Sequence, residues 1–139
     1  MFSRLKQGYR CLFLKFDKNN ENEIKNILSQ KEFQIFSEMG DYDKLHSFLI
    51  YKKCKENGIL KDNKNYLKLA LLHDCGKGNV TLFRRVKKVL IGDKKLEKHP
   101  ENAFERLKEI NIDLAILCRD HHKKSVEDKM KLFQEFDDE

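Results

Sequence analysis

A single proline, Pro100, and only six glycines in 139 residues leave long stretches of this chain without a backbone breaker, and this constrains the fold more than any other feature. Along those stretches apolar residues recur at three- and four-residue steps rather than alternating, which predicts an all-α fold, a single-domain helical bundle. The spacing predicts a first helix over about Phe2 to Phe16, ending at Asp17-Lys18-Asn19-Asn20. A second carries Ile24, Ile27, Leu28, Phe33 and Phe36 and stops at Gly40; Asp41 is the expected N-cap of a third, with the stripe Leu45, Phe48 and Leu49, which ends near Asn57-Gly58. The fourth starts at about Asn63 and is apolar on most sides through Tyr66, Leu67, Leu69, Ala70, Leu71 and Leu72, as expected of a helix in the middle of the fold. A fifth segment, Val80 to Ile91, alternates apolar pairs with Arg84-Arg85 and Lys87-Lys88, giving one basic face. Pro100 suits the first turn of a sixth helix with Ala103, Phe104, Leu107 and Ile110; a seventh runs from about Asp113 through His122, and a last one from Met130 to Phe136.

A chain of this length supports one core that needs neither a disulfide nor a structural metal. Its formal charge of +6 favours anionic partners without naming one. Tryptophan is absent and no recognition motif sets aromatics among the basic residues, which argues against a nucleic-acid-binding role. No apolar run approaches the ~20 residues of a spanning helix. The apolar patch Cys11 to Leu14 is too brief for a secretory signal, so the expected location is cytoplasmic, with no membrane partner. In that reducing setting Cys11, Cys54, Cys75 and Cys118, far apart and without a C-x-x-C pair, are expected to be small core residues.

The histidines break this bland pattern. The stripe Leu114, Leu117, Cys118 runs on into His121, and Ala115 and Cys118 lead to His122. His73 lies four residues after Leu69 at the end of the buried fourth helix, with Asp74 next, and Gly76 lets both side chains turn toward one point. Met130, Phe133 and Asp137 share a face of the last helix, so a carboxylate stands where an apolar residue is expected; His46 borders the stripe of the third. Taken singly, a histidine of this kind is more often a hydrogen-bonded core residue, His121-His122 could serve the helix dipole, and Asp137 could be a frayed terminal acid beside Asp138 and Glu139. Together they are harder to dismiss, because several buried imidazoles and carboxylates aimed at one interior cost several kcal/mol unless they share a partner. A divalent cation is the economical one, and nitrogen and oxygen donors without clustered thiolates suit Zn, Mn, Fe or Ni.

The ordered set His46, His73-Asp74, His99, His121-His122 and Asp137 resembles the HD-domain superfamily of metal-dependent phosphohydrolases. The likeness is closest to the HDIG branch and its HD-GYP relatives, whose helix-ending H-D-I-G-K reads here His73-Asp74-Cys75-Gly76-Lys77. Asp43-Lys44-Leu45-His46-Ser47, His99-Pro100-Glu101 and the closing Leu132 to Asp138 are similar to further family segments. The resemblance spans about Asp41 to Glu139, the metal-binding core; residues 1–40 would be a helical extension packed on it within one domain.

What the resemblance implies is a dinuclear centre of two divalent transition-metal ions, with Asp74 bridging. His46, His73, Asp74 and Asp137 would hold one ion, and Asp74, His99 and His121, with or without His122, the other; Asp138 and Asp128 are the substitutes for Asp137. The implied activity is hydrolysis of a small phosphorylated substrate, phosphate ester or nucleotide, with Lys77 binding a phosphate oxygen unless it is an ordinary surface lysine. The alternative is an HD-type metal or nucleotide sensor with weak or no turnover. His122 is followed by Lys123-Lys124-Ser125 where the G-Y-P segment would stand, so cyclic-di-GMP is not the expected substrate.

Overall fold

The computed structural model describes residues 18–77, 99–124 and 126–138. The expected first helix, the basic segment Val80 to Ile91 with Arg84, Arg85, Lys87 and Lys88, and Cys11 lie outside the described residues, as do the side chains of Lys77, His99 and Asp138. Within them there are seven α-helices and no strand, as the apolar spacing predicts. They are α1 (Glu21–Ile27), α2 (Gln30–Ser37), α3 (Asp41–Glu56), α4 (Lys64–Leu72), α5 (His99–Leu107), α6 (Ile112–Asp120) and α7 (Asp128–Asp138), with short 3-10 turns at Lys18–Asn20 and Cys75–Lys77.

The expected second helix is two. Ser29 Oγ accepts the Glu32 N–H at 3.2 Å and the Ser29 N–H donates to Glu32 Oε1 at 2.8 Å, a capping box that ends α1 and starts α2 although the apolar spacing runs straight through. Gly40, in extended conformation, takes the N-cap place of α3 expected of Asp41, which is the first helical residue.

Helix α4 lies at the centre, packed by α1, α2, α3 and α6, and its buried Leu69, Ala70, Leu71 and Leu72 make the spine of the core. Each fully buried leucine there contributes about 1.5–3 kcal/mol. Residues from both sides of position 40 join the same core: Ile24, Leu28, Ile35, Phe36 and Met39 pack in one cluster with Leu107, Leu114 and Phe133.

Helices α5 and α6, joined by residues 108–111, pack against each other, with Asn111 accepting the Leu114 N–H at 3.2 Å as the cap of α6. Helix α6 ends at Asp120, so His121 and His122 stand in the turn beyond it rather than inside the expected seventh helix. The cause is tertiary: Gln134 of α7 donates to the His121 and Lys123 carbonyls, at 3.0 and 2.7 Å, where a continuing helix would supply its own N–H groups.

Cys54, Cys75 and Cys118 are buried, as expected of core residues. Burial pushes the thiols of Cys54 and Cys75 up to about 12 and that of Cys118 well above its ordinary range. All three are therefore expected to escape iodoacetamide at mildly alkaline pH in the native protein and to react fully in guanidinium, as read by peptide mass spectrometry; native labelling of any of them would contradict this packing.

Candidate metal centre

The end of α4 places the first two donors. His73 is the C-cap residue, and its Nδ1–H donates to the Ala70 carbonyl at 2.9 Å, which fixes the tautomer and turns Nε2 away from the helix. That nitrogen is fully buried and makes no well-formed hydrogen bond with any described residue, yet it lies 3.2 Å from Asp74 Oδ2 and 3.2 Å from Asp137 Oδ1. His46, on the buried side of α3, brings its Nε2 to 3.1 Å from Asp137 Oδ1 and 3.9 Å from Asp74 Oδ2. The Tyr42 ring, one turn earlier, lies parallel to the His46 ring with centroids 6.1 Å apart.

Three separate elements thus deliver four donor atoms to one point. Bonds of about 2.0–2.2 Å to a tetrahedral ion imply donor–donor separations of roughly 3.4 Å. Four of the six separations among these donors lie at 3.1 to 3.9 Å, near that edge, so the residues could hold a metal cation.

A second group adjoins the first. His121, His122 and Asp137 each offer a ligand atom within 4.8 Å of the others, as do His46, His73 and Asp74. His121 is anchored as His73 is, its Nδ1–H donating to the Cys118 carbonyl at 2.5 Å. Its ring stands edge-on to that of His73, centroids 5.3 Å apart, and Phe133 sets its own ring edge-on to both. His122 is half exposed, with Nε2 3.8 Å from Asp137 Oδ2. Asp137 therefore reaches both groups, Oδ1 toward His46 and His73 and Oδ2 toward His122.

The electrostatics are those of a cation site. Burial alone lowers the His73 pKa, but the carboxylates of Asp74 and Asp137 outweigh it and hold the ring well above its ordinary value. Asp137 shows the reverse: burial raises its carboxyl, while His73, His122 and His46 bring it well below the usual carboxylate range. The same two carboxylates that favour a proton on a buried imidazole favour a metal dication in its place.

Of the expected ligands, His46, His73, Asp74 and Asp137 come together, and His121 and His122 gather with Asp137. The side chains of His99 and Lys77 lie outside the described residues, although the backbone sets them at the start of α5 and in the turn after Asp74. Asp128 is exposed in the first turn of α7, about 13 Å of helix rise from Asp137, and is no substitute for it.

Sequence reasoning missed the supports. Arg106 of α5 donates to the Cys75 carbonyl at 2.9 Å and pairs with Glu38 at 2.5 Å, and Asn102 donates to the Gly76 carbonyl at 3.4 Å, so α5 braces the turn that follows Asp74.

No family model, no curated protein and no solved structure matches this chain. No helix among the described residues is long and apolar enough to cross a membrane.

Proposed function

We propose that this chain is a metal-dependent phosphohydrolase of the HD-domain kind, acting on a small phosphorylated substrate, a phosphate ester or a nucleotide. The observation that carries the reading is the meeting of His46 and His73 Nε2 with Asp74 and Asp137 oxygens at 3.1 to 3.9 Å, donors from α3, from the turn after α4 and from α7. Two divalent ions bound among these groups would supply a nucleophilic water at neutral pH and a clamp on the phosphoryl oxygens. The protein's own part is preorganisation. Carbonyls of Ala70 and Cys118 lock two imidazoles in one tautomer, and Phe133 closes the core side against water. Half-exposed His122 marks the edge from which a substrate enters. Lys77, three residues after Asp74, is the ammonium we assign to a non-bridging phosphate oxygen.

A sensor that binds metal without turnover is the second reading. It draws on the second group, which has three described donors, one of them half exposed.

Metal analysis of protein purified without chelators, followed by a panel of phosphomonoesters, phosphodiesters and nucleotides with Mn or Fe, separates the two. The enzyme reading expects about two ions per chain and turnover on a member of the panel. Metal without turnover selects the sensor, and a chain that takes up no metal defeats both.

A further inference from the structure

Helix α7 carries more of the site than its ligand. Phe133, Gln134 and Asp137 follow one another within a turn: the first lies against the His73 and His121 rings, the last supplies the carboxylate, and Gln134 faces the loop that holds His121 and His122. Its Nε2 donates to two carbonyls at once, to His121 O at 3.0 Å and to Lys123 O at 2.7 Å, one on each side of His122. Because both partners are carbonyl oxygens that can only accept, the amide orientation is fixed by chemistry.

We infer that Gln134 is the positioning residue of the second metal group: its two hydrogen bonds tie the His121–Lys123 backbone to the helix bearing Asp137 and so set the distance between imidazoles and carboxylate. This rests on the metal reading above. Without the clamp, the turn beyond α6 is a short segment outside the helix whose His122 side chain is half exposed. The first group depends on it less, since His46, His73 and Asp74 come from α3 and the end of α4 and only Asp137 from α7.

The charge of the side chain makes the test. Gln134→Glu keeps shape and volume but turns a double donor into an acceptor facing two carbonyls, whereas Gln134→Lys restores a donor of sufficient reach. Mn and Co are titrated calorimetrically into the full chain, wild type and both variants, with the Co visible spectrum reporting ligand geometry. Loss of an outer support of this kind weakens a metal by about 10- to 100-fold. We expect that loss for the second ion alone in Gln134→Glu, first-ion affinity within about threefold of wild type, and recovery in Gln134→Lys.

If wild type binds two ions and Gln134→Glu binds both as tightly, or loses both equally, the positioning role is overturned while the metal reading stands. A wild-type chain that binds no ion overturns both together.

Discussion

Replacing Asp137 with alanine is expected to weaken both metal ions by more than about 100-fold and to bring the proposed phosphohydrolase activity to background, a larger loss than removal of any supporting group gives. The reason is its double reach: Oδ1 lies 3.1 and 3.2 Å from the His46 and His73 nitrogens while Oδ2 lies 3.8 Å from His122. Asp74→Ala is expected to abolish turnover as well but to leave the His121 group its ion, because that group closes through Asp137. Metal content by mass spectrometry and calorimetric titration distinguish the two variants, and Lys124→Ala, an exposed residue outside the site, is the unaffected control. The comparison is clean because Asp137 is not what holds α7 in place: Met130 and Phe133, buried on the same helix, do that. Acids in the last turn of a helix oppose its dipole by about 0.3–1 kcal/mol each, and α7 ends in Asp137 and Asp138 with no basic residue in its last turn, a charge distribution that serves a bound cation better than it serves the helix. Two ions retained at wild-type affinity in Asp137→Ala would sink the shared-carboxylate assignment.

The donors themselves were legible because imidazoles and a carboxylate interrupt apolar stripes that helical geometry makes visible: His121 after Leu114 and Cys118, Asp137 after Met130 and Phe133. The approach of α6 and α7 that brings Asp137 to His122 was not, because periodicity along one helix carries no information on the angle between two. Boundaries failed for a related reason. The turn after Asp120 is held by Gln134, thirteen positions beyond His121, and Arg106 braces a carbonyl 31 positions earlier, contacts that leave no trace in local sequence. The break between α1 and α2 was different: Ser29 and Glu32 stand in plain capping-box spacing, but Leu28 and Phe33 carry the apolar pattern across it and hide the signal.

Glu32 leads to the largest expected loss of stability outside the site. Glu32 is 1% exposed and its side chain serves three groups: the Ser29 N–H at 2.8 Å, which completes the capping box at the start of α2, Lys68 Nζ at 2.8 Å and the Asn111 amide at 3.0 Å. One carboxylate thus joins α2 to α4 and to the cap of α6. Glu32→Ala leaves Lys68, itself 12% exposed, without its counter-ion and removes a cap, for which a cost of about 3 kcal/mol and a melting point lower by about 10 °C are expected. The pH dependence follows from the direction of the shift. Burial raises the Glu32 pKa, but the Lys68, Ser29 and Asn111 hydrogen bonds bring it below its ordinary value in the folded chain. A lowered folded-state pKa means the unfolded chain binds the proton more tightly, so the stabilisation is fully present above about pH 4.3 and is lost as pH falls through the folded pKa. Denaturant unfolding of wild type and Glu32→Gln should therefore show a gap that is constant from neutral pH down to about pH 5 and closes below it. A gap that widens on acidification would mean that the Lys68 pair does not hold the carboxylate in its charged form.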